Sequence, residues 1–211
     1  MSISNYYAGT ALAIRTLFVI TEPARLSDKR PGPGPYPTGG AGSNPNEEPM
    51  GGGPSKLPPA GSPAATFRHI EPATAEIVGA ALASMDPWRT LGMSATALTG
   101  LLLDPGHHLR CEAMFMDGIP VGVIALRHPW LYGPYVALLA VLPDWQGRGL
   151  GSVMLHRIEE EMKPKNVWVC VSSFNRSAER FYIRNGFEHV GPLPGLLHPE
   201  FDELLMRKRL G

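Results

Sequence analysis

An apolar run over residues 136–142 is closed by Pro143-Asp144 and followed at once by Gln146-Gly-Arg-Gly-Leu-Gly151. The run carries no polar residue on either alternation, so it fits a strand buried on both faces. After the glycines, Leu150, Met154, Ile158 and Met162 recur every four residues and share one face of a helix over residues 150–162. A doubly buried strand, a glycine turn and an amphipathic helix in that order demand a layered sheet with helices packed on it. The turn also has chemistry of its own. The first N–H groups of a helix have no partner inside it, and they sit at the positive end of its dipole. A glycine-rich turn at that point lets a phosphate or pyrophosphate approach them closely.

The spacing narrows the choice of phosphate ligand. Gly147, Gly149 and Gly151 are spaced G-x-G-x-G, not the G-x-G-x-x-G of dinucleotide-binding folds, and no Lys-Ser/Thr pair follows them as a nucleoside-triphosphate loop requires. Gln146, Gly149 and Gly151 instead match [Q/R]-x-x-G-x-[G/A]. Further on, Asn175-Arg-Ser-Ala178-Glu-Arg-Phe181-Tyr182-Ile-Arg-Asn-Gly186-Phe187 reads N-x-x-A-x-x-F-Y-x-x-x-G-F. Together these resemble the two signatures of the GCN5-related N-acetyltransferase (GNAT) superfamily, in the right order and with a strand between them. The resemblance covers roughly residues 66–210.

The resemblance implies an α+β fold: a mixed, mostly antiparallel sheet splayed between strands 4 and 5, with acetyl-CoA as co-substrate in the cleft. It implies that the pantetheine arm pairs with backbone groups of Leu139, Ala140 and Val141. The pyrophosphate would take the N–H groups of Gly147, Arg148, Gly149, Leu150, Gly151 and Ser152, with Gln146 or Arg148 adding a side-chain contact. Asn175 would cap its own helix and reach the coenzyme arm. Tyr182 would protonate the departing thiolate as general acid. The implied activity moves acetyl to a primary amine on a small molecule or peptide, by direct attack in a ternary complex and without a metal. The alternative is a non-catalytic acyl-CoA-binding or regulatory module of the same fold.

No general base is evident. Many relatives use a glutamate on strand 4 or strand 5, and the corresponding positions here hold Tyr135 and Cys170. His128, Asp86 and Glu112 are the remaining candidates, each with an ordinary structural reading. Trp88, Trp130 and Tyr132 fall in segments that either flank the acceptor cleft or pack under loops. Glu159-Glu-Glu161 reads as a solvated helix face.

The rest of the chain divides by composition. Residues 1–30 hold an apolar stretch, 6–20, interrupted by Arg15, which is short for a bilayer span and lacks the cationic region of a signal peptide. In residues 31–63, 19 of 33 residues are Pro or Gly, a composition that reads as a disordered linker. The folded domain is expected over 64–211. Its elements read as a strand at 66–70, a helix from Pro72 with Ile77, Ala81, Leu82 and Met85 inward, and a helix capped by Ser94 and stopped by Asp104-Pro-Gly106. A hairpin through Asp117-Gly118, strands at 135–142 and 167–172, a helix over 175–185 and strands at 187–190 and 201–209 complete the order β-α-α-β-β-β-α-β-α-β-β. With 19 basic and 19 acidic side chains, nothing points to nucleic acid or a membrane surface as a partner. Cys111 and Cys170 read as free thiols suited to the cytoplasm, in a monomer or homodimer.

Overall fold

The computed structural model describes residues 65–103 and 109–211. The N-terminal extension, the Pro/Gly-rich segment and the Asp104-Pro-Gly106 helix stop all lie outside the described residues. The elements are β1 (Thr66–His69), α1 (Pro72–Ala83), α2 (Ala95–Leu103), β2 (Leu109–Met116), β3 (Ile119–Trp130), β4 (Gly133–Val141), a 3₁₀ turn (Pro143–Trp145), α3 (Leu150–Met162), β5 (Asn166–Ser172), α4 (Arg176–Arg184), β6 (Glu188–His198) and β7 (Phe201–Arg209). Their order is the expected one. No helix among the described residues is long and apolar enough to cross a membrane.

The seven strands form one sheet in the order β1-β2-β3-β4-β5-β7-β6. Every neighbouring pair is antiparallel except β4 with β5. Asp117 and Gly118 both take positive φ, 50° and 78°, as the tight turn between β2 and β3 requires. β6 runs well past the expected end at residue 190, through Pro192 and Pro194. It is an edge strand, where a residue without an N–H forfeits no ladder bond.

Two cores lie on opposite faces of the sheet. On one, Leu150, Met154, Leu155 and Ile158 of α3 pack on β2 to β5, α4 and Met206 of β7. Met162, the last of the four-residue stripe, closes the edge of that core. On the other, α1 and α2 cover β2, β3 and β4 only. The inward face of α1 differs from the expected stripe. Ile77 is exposed, and Ala75, Val78, Gly79 and Leu82 are buried. The reason is close helix packing: a Cβ on Gly79 would lie 2.3 Å from Thr99 Oγ1, and Thr99 donates to the Ala75 carbonyl at 3.3 Å. Small residues, not the bulkiest apolar ones, set that face. Ser94 caps α2 as expected, accepting from the Ala97 N–H at 3.1 Å.

Candidate active site

β4 and β5 share two register pairs, Tyr135 with Trp168 and Val136 with Val169. Immediately beyond them the β3–β4 ladder slips: Leu126 faces Val136 and Ala125 faces Leu138, leaving Ala137 without a counterpart. Such a bulge bends and twists its strand, and beyond it β4 and β5 share no further register pair. Leu139, Ala140 and Val141 stay paired to Ile124, Val123 and Gly122 of β3 on one edge. Their other edge lines a groove of about 860 Å³.

The glycine turn forms the far end of that groove. Gly147 and Gly149 sit at φ of 75° and 78°, conformations that glycine adopts at no steric cost, and Gly149 is the residue before the first turn of α3. Gln146 Nε2 donates to the Val141 carbonyl at 3.0 Å, and Arg148 donates to the Asp144 carbonyl at 3.0 Å while its guanidinium lies 4.7 Å from the centre of the Trp145 ring. Both side chains therefore brace the turn itself. Gly151 serves close packing: a Cβ there would lie 3.0 Å from the Phe181 ring of α4. Ten of the eleven residues expected to hold the coenzyme line the groove; Arg148, folded back on Trp145, does not.

Asn175 caps α4, its Oδ1 accepting from the Ala178 N–H at 3.1 Å. It also stands between the groove and a smaller inner cavity of about 130 Å³ under the splay, and lines both. Tyr182 reaches the inner cavity from α4 and is held by edge-on contacts with Phe181 and Phe187, ring centres 5.0 and 5.1 Å away. Burial pushes its phenol well above the usual tyrosine range, so it keeps its proton.

The inner cavity holds a carboxylate that the sequence did not single out. Glu203 of β7 is 3 % exposed, stands opposite Ser172 of β5, and accepts from the Ser172 hydroxyl at 2.6 Å. Burial pushes its carboxyl up to about 7, while the Ser172 hydrogen bond pulls the other way. Cys170 lines the same cavity, and burial pushes its thiol up to about 11, so it is a thiol rather than a thiolate. Tyr135 completes the wall beside it, also raised by burial. A signal for Glu203 was present. Strand alternation over 201–209 puts it on the same face as Phe201 and Leu205, and a carboxylate on an apolar face needs a reason.

The other candidate bases are occupied or elsewhere. Glu112 accepts from Arg157 at 2.5 Å and lies 3.7 Å from Arg110. Asp86, on the groove wall, accepts from Arg89 at 3.0 Å and Thr90 at 2.7 Å. His128, Trp130 and Tyr132 line a separate depression where β3 turns into β4; of the three aromatic candidates only Trp88 lines the groove and the inner cavity. The Glu159–Glu161 run is not simply solvated: Glu161 pairs with Arg110 at 2.6 Å and Arg157 at 3.2 Å, and Glu159 with Lys208 at 2.6 Å.

The sequence model of the Acetyltransferase (GNAT) family matches residues 83–187, about half of the chain, and that span takes in the splayed strands, the glycine turn and the Tyr182 helix. The chain belongs to this family. Among curated relatives, it is 34% identical over 95 residues to an aminoalkylphosphonate N-acetyltransferase of Salmonella typhimurium, covering 41% of this chain and 60% of that one. It is 35% identical over 81 residues to the tRNA(Met) cytidine acetyltransferase TmcA of a Thermococcus species, covering 36% of this chain and 10% of that one. The chain thus spans three-fifths of one curated relative and a tenth of the other. A solved GNAT-family structure from Desulfovibrio desulfuricans superposes with a TM-score of 0.58 at 18% identity, over 70% of this chain and all of that one. This last likeness establishes the GNAT fold.

Proposed function

We propose that residues 64–211 form an acetyl-CoA-dependent N-acyltransferase domain that moves acetyl to a primary amine by direct attack in a ternary complex. The observation that carries this reading is continuity. The groove from the N-terminus of α3 along the unpaired edge of β4 and the inner cavity bearing Tyr182 and Glu203 adjoin, sharing Pro87, Trp88, Leu139, Asn175 and Ala178 in their walls. Each segment suits a different part of the coenzyme. Peptide-like amides of the pantetheine arm pair with the free edge at Leu139, Ala140 and Val141, as a third strand would. The pyrophosphate rests on the unpaired N–H groups at the start of α3. The thioester then lies under the splay, where a strand N–H polarises its carbonyl and Tyr182 supplies a proton to the leaving sulfur. Aminoalkylphosphonate N-acetyltransferase, by its name, acetylates the nitrogen of an aminoalkylphosphonate, which supports a primary amine as the reacting group here. The free thiols of Cys111 and Cys170 fit a reducing, cytoplasmic setting.

Thermal denaturation of the full chain with acetyl-CoA, followed by amine-dependent thiol release, tests the proposal. Ligand at about 100 times its dissociation constant stabilises the native state by about 2.7 kcal/mol. A rise in midpoint together with amine-dependent thiol release is expected. A rise without turnover on any amine favours the non-catalytic coenzyme-binding module, and no rise overturns the coenzyme reading.

A further inference from the structure

We infer that Glu203 is the general base of the transfer and that the inner cavity selects primary amines bearing a single positive charge on a compact apolar body. The inference rests on the acyltransferase reading above and extends it to the residue that takes the amine's proton and to the class of acceptor.

Placement comes first. Glu203 shares the inner cavity with Tyr182, so a thioester lying under the splay has the carboxylate and the phenol within one small enclosure. Glu112 and Asp86 are each held by an arginine, and neither lines this cavity. Among the described residues lining it, Glu203 is the one that can carry a full charge at neutral pH, and no cation accompanies it. The titratable groups facing Glu203 are Tyr135 from β4, Cys170 from β5 and Tyr182 from α4, all neutral by burial, with the Ser172 hydroxyl donating to it.

The step balances without a further reactant. The bound ammonium first gives one proton to the Glu203 carboxylate, which releases it to bulk water, and the neutral nitrogen then attacks the thioester carbonyl carbon as the C–N bond forms. The nitrogen's second proton then passes to the Glu203 carboxylate. As the tetrahedral adduct collapses, the C–S bond breaks and the Tyr182 phenol gives its proton to the departing sulfur. A proton moving from Glu203 back to the Tyr182 phenolate restores both groups, leaving amide and free thiol.

The same walls dictate the acceptor. Apart from Glu203 they are contributed mainly by apolar side chains such as Trp88, Leu91 and Met93. A second ammonium, or the carboxylate of a free amino acid, would be desolvated there without a partner. Size sets the other limit. The cavity measures about 130 Å³, less than an apolar cavity of about 150 Å³ that accommodates benzene, and the acetyl thioester enters the same space, so what these walls enclose of the acceptor is its amino end and a small apolar body beside it.

The test uses the full chain, saturating acetyl-CoA and a panel of benzylamine, isopentylamine, spermidine, free amino acids and a short peptide with a free N-terminus. The two apolar monoamines are expected to exceed the others in kcat/KM by about tenfold or more. Their kcat/KM should rise through a limb near pH 7, separate from the amine's own titration near 10. Glu203→Gln keeps the shape of the side chain and its acceptor for Ser172; it should lose about 100-fold in kcat/KM at pH 8 and lose that limb, with acetyl-CoA affinity unchanged. Ser172→Ala keeps the carboxylate but removes the hydrogen bond that lowers its titration, so the limb should move to higher pH, a displacement that a merely structural role would not produce. Preference for spermidine, amino acids or the peptide overturns the acceptor class. An unchanged limb and rate in Glu203→Gln overturn the base, while leaving the acyltransferase reading intact. Absence of both coenzyme binding and thiol release with every amine removes that reading and this inference together.

Discussion

Gly149 and Gly118 permit an internally controlled test of the phosphate turn. Both sit at φ of +78°, and a Cβ built on either meets no atom within 4 Å. Substitution by alanine therefore carries the same backbone penalty at each site and no clash at either. Forcing an L-residue into the left-handed region costs about 1–2 kcal/mol, partly offset by the smaller conformational freedom of alanine in the unfolded chain. A net loss of about 1 kcal/mol lowers the melting temperature of a domain this size by roughly 2–4 °C. Gly118→Ala and Gly149→Ala should match in this respect. They should part on ligand binding, because Gly118 lies in the β2–β3 turn, whereas Gly149 aligns the first N–H groups of α3. A turn that relaxes to relieve its alanine misaims those groups, and losing one hydrogen bond to a charged acceptor costs about 1.5–3 kcal/mol. The expected rise in the acetyl-CoA dissociation constant is roughly 10- to 100-fold for Gly149→Ala and nil for Gly118→Ala. Calorimetric titration and thermal melts on both variants decide it. Equal melting losses with equal affinities would refute the pyrophosphate role of this turn.

Tyr182→Phe preserves the packing on Phe181 and Phe187 and removes only the hydroxyl, so kcat should fall by roughly 100-fold or more with acetyl-CoA affinity unchanged; an unaltered kcat removes the general acid. Cys170, whose thiol burial holds at about 11, is no nucleophile at neutral pH. Its alanine variant should turn over, and mass spectrometry of the wild type with acetyl-CoA alone should find no acetyl on Cys170; a stable acetyl adduct would contradict direct attack. Glu203 also links stability to pH. In the unfolded chain it titrates near 4.5, and in the folded chain at about 7, so between these values the folded state binds the extra proton and stability falls as pH rises. The loss is at most about 3 kcal/mol. Denaturant melts should show Glu203→Gln close to wild type at pH 4 and more stable than wild type at pH 8; parallel pH dependences would sink this.

Much of the layout was legible in sequence because it depends on local chemistry. Glycines at 118, 149 and 186 take the left-handed φ their positions need, Ser94 and Asn175 cap helices from short range, and the α3 stripe at Leu150, Met154 and Ile158 is buried as its period implies. What stayed hidden depends on register and on partners distant in the chain. The bulge at Ala137 leaves no mark on an unbroken apolar run. The exposure of Ile77 follows from how closely α2 approaches Gly79, which no property of α1 encodes. Glu203 becomes a site residue only because β7 inserts between β5 and β6 and sets it beside Ser172. The two motifs mark the start of α3 and the length of α4, and the carboxylate stands on a strand that neither motif covers.

The cores on the two faces of the sheet are unequal in reach. The α3 core binds β4, β5, α4 and β7 into one body, whereas the α1–α2 core ends at β4. Where the strands part, the sheet is thus backed on one side and slotted on the other, like a book with its spine along α3. The cohesion of the splayed region therefore comes from the α3 side, and Trp88 and the α1–α2 connection overhang the inner cavity without a core of their own on β5.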